Sequence, residues 1–244
     1  MKVIKLGGSL LDDAQRREAT LRSIAAAWAS GEEVVLVHGG GKHIDAALAL
    51  RGIPKKTYAG LRVTDDETLE VVVSVLAGVV NKSLVAELTA IGVRAAGISG
   101  ADAGTIFATR HEPINGVDLG HVGRVAASDK TLIQAMLNAG ILPVISSVAQ
   151  GPNGTLLNVN ADTAACAIAQ SLGAASLEFI TDVAGLLDSA GNVVPKLTIR
   201  DAQSYLASDI VSGGMKPKLE AALHALASGV GSIHIGGGTQ LVAA

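Results

Sequence analysis

The chain has 244 residues, 49% of them hydrophobic and 17% charged, a balance that excludes a disordered tail and supplies enough apolar material for one large core. Its 19 Lys and Arg against 22 Asp and Glu give a formal net charge of -3, so no broad positive field draws nucleic acid or an anionic membrane, and any anion must be bound locally. Aromatic residues at 2% leave little to stack on unpaired bases, and the single Cys166 excludes an intramolecular disulfide or a cysteine metal cluster.

Taken in order, Val3 to Leu11 joins a buried apolar run to the turn Gly7-Gly8, with Lys5 set where glycine opens the backbone to a ligand. Asp12 and Asp13 offer an N-cap to a helix whose apolar positions are Leu21, Ile24, Ala25 and Trp28, ending at Gly31. Residues 34–37 form a continuous apolar strand of the kind found in parallel sheets, leading through His38-Gly39-Gly40-Gly41-Lys42 into a helix that runs to Leu50. Residues 52–63 read as an exposed loop or hairpin beside a site. Thr64-Asp65-Asp66-Glu67 reads as a capping box opening a helix to Val80, followed by a second helix from Lys82 to Ile91. The first of these is apolar enough to lie either deep in the core or at a subunit interface, and the interface is the reading taken.

Val93 to Ile98 is a strand, and Thr105 to Val125 contains short antiparallel strands turning at Asn115-Gly116 and Gly120. A helix over 129–139 precedes a buried strand at 141–145. Thr155 to Val159 leads to Asn160 and Asp162, either of which can cap a helix reaching Leu172. A strand over 177–181, helices opening near Thr198 and Gly214, and a strand at 232–235 complete the alternation. This pattern predicts a three-layer α/β/α sandwich around a mainly parallel sheet, with short hairpins near the site and ligands at the C-terminal strand ends. No basic leader is present and no stretch is both long and uncharged enough to span a bilayer, so the cytoplasm is the expected address and no membrane partner is expected.

Several chemistries are excluded by motif. Gly39-Gly40-Gly41-Lys42-His43 lacks the first glycine of a phosphate-binding P-loop and has His where Ser or Thr would bind magnesium; it also lacks the third glycine of a dinucleotide fingerprint. There is no Gly-x-Ser-x-Gly elbow, and the six His residues show no metal-ligand spacing. His38 reads as a turn residue rather than a base. The glycine clusters point to phosphate bound by backbone N–H groups. Lys5 and Lys218, each alone, read as solvated cations.

Together, Lys5-Leu6-Gly7-Gly8, Val37-His38-Gly39-Gly40-Gly41, Gly60-Leu61-Arg62-Val63-Thr64, Asn158-Val159-Asn160-Ala161-Asp162, Thr181-Asp182-Val183-x-Gly185 and Gly213-Gly214-Met215-x-x-Lys218 resemble, in this order and almost end to end, the amino-acid kinase family. The resemblance implies that residues 1–244 form a single domain, with about 1–170 binding the acyl substrate and about 171–244 binding ATP. It is strongest to members that use ATP to phosphorylate the side-chain carboxylate of N-acetyl-L-glutamate in arginine biosynthesis. On that pattern Lys5 and Lys218 stabilise the transferring phosphoryl group, Gly8 and Gly41 supply N–H donors, and Asp162 orients both lysines. Gly40, Gly41, Arg62, Asn158 and Asn160 hold the acceptor, while Asp182, Val183, Gly185, Leu186, Ile210, Val211 and Ser212 line the ATP site. Mg2+ is expected to travel mainly on the nucleotide phosphates.

In the Gly100-Ala101-Asp102 segment, Ala101 stands where many relatives carry Lys. Arginine-inhibited relatives carry an additional N-terminal helix that links dimers into hexamers, and this chain starts at its first strand; the expectation is an arginine-insensitive homodimer joined through helix 65–80. The competing readings are a relative acting on another acid, such as carrier-protein-linked 2-aminoadipate, and a non-catalytic nucleotide or effector sensor.

Overall fold

The computed structural model describes every residue except Asp209, Ser212, Gly213 and Ala244, and of Ser9 only the backbone. Ser212, assigned above to the ATP site, therefore lies outside the described residues. In chain order the elements are β1 (Lys2–Leu6), α1 (Gly8–Asp12), α2 (Ala14–Ala29), β2 (Val34–His38), α3 (Gly41–Leu50), β3 (Thr57–Tyr58), β4 (Leu61–Arg62), α4 (Asp66–Val73), a π-helical stretch Ser74–Val80, and α5 (Asn81–Ala90). Then follow β5 (Ala95–Ser99), β6 (Ile106–Arg110), β7 (Val122–Ser128), α6 (Thr131–Asn138), β8 (Leu142–Ser146), β9 (Val148–Gln150), β10 (Leu156–Val159) and α7 (Ala161–Leu172). The chain closes with β11 (Ser176–Ile180), β12 (Lys196–Thr198), α8 (Ile199–Ala207), α9 (Met215–Ala227), β13 (Ser232–Ile235) and β14 (Thr239–Val242).

Eight strands form one sheet in the order β12-β14-β13-β11-β1-β2-β8-β5. The six from β13 to β5 are mutually parallel, and β14 pairs antiparallel with β13. Side-chain alternation divides the core between the two faces. Val3, Val35, Val37, Leu177, Phe179 and Ile233 point toward α6, α7, α8 and α9. Ile4, Leu6, Val34 and Leu36 point toward α1 to α5. Lys5 shares the parity of Val3, so it emerges near the C-terminal end of β1 on the α7–α9 side.

Four expectations are corrected. Residues Asp66–Ala90 form one continuous helical run rather than two helices. Asn81 does not break it, because its buried amide donates to Val144 O at 2.9 Å and Ile98 O at 3.2 Å and to the His38 ring, tying the run to three strands. This run also meets the length and apolarity of a membrane span, contrary to the sequence reading. Its Val71, Val72, Val75, Leu76, Val80, Leu84 and Leu88 lie in the core, however, and at about 1.5–3 kcal/mol for each fully buried side chain they explain both its apolarity and the tolerance of a π-helical middle. The capping box at Thr64 is absent: Asp65 caps α4 by accepting from Thr68 N at 2.9 Å, while Thr64 is buried and turned toward the site. Finally, β6 and β7 are antiparallel as expected, but they belong to a small closed barrel in the order β10-β7-β6-β9 rather than to isolated hairpins.

Candidate active site

At the centre is one carboxylate between two lysines. Asn160 caps α7, its side chain accepting from the amides of Asp162 at 2.8 Å and Thr163 at 3.2 Å, which sets Asp162 in the first turn directly over β1. Lys5 Nζ lies 2.9 Å from Asp162 Oδ1, and Lys218 Nζ, in the first turn of α9, donates to Oδ2 at 2.8 Å. Phe179, the register partner of Lys5 on β11, supports the Lys218 ammonium over its ring face at 4.8 Å. The three charged side chains are 9–13% exposed. Burial pushes the Asp162 carboxyl up, but the charges of Lys5 and Lys218 outweigh it and hold the group below the usual carboxylate value. For Lys218, burial dominates over the attraction of Asp162 and the repulsion of Lys5 adds to it, leaving its ammonium below the ordinary lysine value.

A cavity of about 250 Å³ opens from this centre, lined among others by Lys5, Gly8, Gly40, Gly41, Arg62, Asn158, Asn160 and Asp162. The structure thus gathers at this cavity the residues the sequence assigned to the phosphoryl group and the acceptor, except that Lys218 is not part of its lining and joins the centre through Asp162. The Gly39–Gly41 turn lies against the π-helical stretch: a Cβ on Gly40 would stand 2.9 Å from Leu76 Cδ2 and 3.3 Å from Val80 Cγ2. A side chain there would require Leu76 and Val80 to move aside. Arg62 ends the β3–β4 hairpin, and its Nη2 donates to Gly41 O at 3.2 Å and to Asp45 Oδ1. Its backbone is held as well, since Thr64 Oγ1 donates to Arg62 O at 2.7 Å and accepts from Asn158 Nδ2 at 3.1 Å.

The residues assigned to ATP lie beyond this cavity, in the loop after β11 and before α9. Asp182 and Val183 are exposed, and Gly185 and Leu186 are buried, the Leu186 side chain within the core. Leu186 therefore presents backbone rather than side chain to any ligand. Ile210 is exposed and Val211 buried. The hydrogen bond from Thr181 Oγ1, at 3.0 Å, keeps Asp182 below the usual carboxylate range, helped by its own backbone amide and by the nearby charges of Arg16 and Lys42.

His38 is buried, and its Nε2 faces Asn81 Nδ2 at 3.1 Å while Nδ1 faces Gly39 O at 2.9 Å. Burial lowers its pKa to about 4, so it is a neutral structural link. Sequence reasoning did not single out Asp45, Lys55 or Phe179, nor Thr64 beyond its place in a motif. The helical spacing of Gly41 and Asp45, one turn apart on α3, was the available signal for the acid.

A sequence profile of the amino acid kinase family matches residues 1–237. The chain belongs to the amino acid kinase family. Among related family members, the acetylglutamate kinase of Solibacter usitatus (strain Ellin6076) is 43% identical over 236 residues, covering 97% of this chain and 90% of that protein. The acetylglutamate kinase of Rhizobium rhizogenes (strain K84 / ATCC BAA-868) is 40% identical over 242 residues, covering 96% of this chain and 82% of that one. The crystal structure of smu.665 from Streptococcus mutans UA159 shares the architecture, with a TM-score of 0.89 and 31% identity, covering 100% of this chain and 98% of that chain.

Proposed function

We propose that the protein catalyses ATP-dependent phosphorylation of the side-chain carboxylate of N-acetyl-L-glutamate, giving N-acetyl-L-glutamyl 5-phosphate and ADP, the second step of arginine biosynthesis. The observation that carries this reading is Asp162 held between Lys5 and Lys218 at one end of a cavity that contains Arg62, in a chain at least 40% identical to acetylglutamate kinases over nearly its whole length. A carboxylate with an ordinary pKa of about 4.3 is already ionised at neutral pH, so the reaction needs no general base. It needs two mutually repelling anions brought into line and the charge on the transferring group offset. Lys5 and Lys218 supply that charge, Asp162 fixes their directions, and the amides of Gly8 and Gly41 add donors. Gly40, Arg62, Asn158 and Asn160 orient the acceptor.

Mg2+ is assigned to the phosphates of ATP, as is usual for an ion that dehydrates reluctantly, and no protein ligand is named for it. The acceptor residues fall before residue 170 and Asp182, Val183, Gly185, Leu186, Ile210 and Val211 after it, which supports a division of labour within one domain. We assign the protein to the cytoplasm, where ATP is supplied. We also assign it a homodimer joined through helix 65–80; support comes from the exposed Val79 on that run and from β5, the neighbouring edge strand of the sheet.

The deciding experiment is ADP release with hydroxylamine trapping of the acyl phosphate, comparing N-acetylglutamate with glutamate, aspartate, carbamate and uridylate. Turnover on N-acetylglutamate is expected, and turnover only on one of the others rejects the assignment.

A further inference from the structure

We propose that Asp45 is the positioning residue of acceptor recognition: it grips one edge of the Arg62 guanidinium so that the other edge meets the α-carboxylate of the acceptor. This rests on the acceptor being N-acetylglutamate. Asp45 lies on α3, one turn after Gly41, and reaches both feet of the β3–β4 hairpin. Its Oδ1 accepts from Arg62 Nη2, and its Oδ2 accepts from Lys55 Nζ at 2.7 Å, just ahead of β3. The same Arg62 Nη2 also donates to Gly41 O at 3.2 Å. Two partners thus occupy Nη2, whereas Nη1 is buried with no hydrogen-bond partner among the described residues.

A guanidinium is planar, so fixing one nitrogen and the backbone fixes the direction of the rest of the fork. The backbone is fixed here by Thr64, itself held by Asn158. Arg62, with a side chain 12% exposed, lines the same cavity as Gly41 and Asn158.

An acid beside the recognition arginine would ordinarily weaken its attraction for an anion. Lys55 removes that objection, because two cations against one carboxylate leave a net positive charge at the acceptor site. Burial favours the neutral acid, but the hydrogen bonds and charges of Lys55 and Arg62 prevail and hold Asp45 below the ordinary carboxylate value, so the clamp stays ionised at neutral pH.

The test is steady-state kinetics with hydroxylamine trapping on wild type, Asp45→Asn, Arg62→Ala and the double variant. Thermal melts verify folding, which a partly exposed Asp45 does not control. Asp45→Asn is expected to raise KM for N-acetylglutamate about tenfold and leave kcat and KM for ATP within about twofold. In the Arg62→Ala background the same change is expected to add less than about twofold, because the group it positions is gone. An Asp45→Asn enzyme with KM within about twofold of wild type overturns the proposal, and so does an equal effect in both backgrounds, which marks a purely structural role. A wild type inactive on N-acetylglutamate brings down the functional reading and this inference together; an active wild type beside an unaffected Asp45→Asn brings down this inference alone.

Discussion

The molecule twice sets one carboxylate between two cations, and the two clusters differ in how water reaches them. In the first, Lys5, Asp162 and Lys218 are 9–13% exposed and mounted on β1, α7 and α9. In the second, Arg62 is as buried, but Asp45 is 31% and Lys55 52% exposed, and both cations belong to the hairpin region. Each keeps a net positive charge while its acid dictates direction. In the dry cluster charges are weakly screened and each partner depends on the others; in the wet one, solvent takes over part of any lost contact. On the proposed function, the first would stabilise charge in the transition state and the second would select the acceptor.

The sharpest way to break this contrast is to remove each acid. Asp162→Asn strands two buried ammonium groups and should lower stability by about 3–5 kcal/mol, a fall in Tm of roughly 10 °C for a domain of this size, read by calorimetry. The sign of its pH dependence is fixed. Its folded pKa lies below the ordinary carboxylate value of 3.8, so its contribution is complete above that value and lost as pH falls through the lower folded pKa. The Tm gap between wild type and variant is thus constant from pH 7 to about 4 and closes below it. His38 acts in another window: folded at about 4 against 6.5, it declines a proton that the unfolded chain accepts, so wild type and variant alike lose stability between those values as pH falls.

Lys218→Ala comes next. Removing one donor to developing charge should cost about 10²–10³-fold in kcat with little change in KM for the acceptor; near-normal kcat in the trapping assay would take Lys218 out of the mechanism. The smallest effect belongs to Lys55→Met. Its exposed pair is worth at most about 1 kcal/mol, so KM for the acceptor should rise by less than about fivefold with kcat unchanged. An effect as large as that of Lys218→Ala would erase the distinction between the dry and wet clusters.

What the sequence made legible follows the same division. Lys5, Asp162 and Lys218 were readable because they interrupt apolar stretches next to glycine turns or helix starts, and an ordered set of motifs joined them. The parallel strands 34–37 and 141–145 were equally plain, being apolar on both faces. Asp45 was hidden because an acid on a helix surface looks like any solvated residue; only the return of the hairpin onto α3 gives it partners. The closed barrel was hidden for a related reason, since the pairings of β10 with β7 and of β6 with β9 join strands far apart in the chain or lacking a hairpin signal. Asn81 lies where the sequence parted one helix ending at Val80 from another starting at Lys82; its buried amide instead binds the sheet within one continuous run.

The alternation along β1 has a consequence for folding. A strand whose two faces are both apolar is poorly protected against slipping by one residue, because hydrophobic side chains meet hydrophobic surroundings in either register. In β1, Lys2 opens the strand beside Glu32 and Lys5 is the charge set among the apolar positions: displaced by one position, its ammonium would face the Ile4 and Leu6 side of the sheet rather than the carboxylate of Asp162. The same lysine therefore serves as an alignment mark, penalising the misregistered sheet during assembly long before any phosphate arrives.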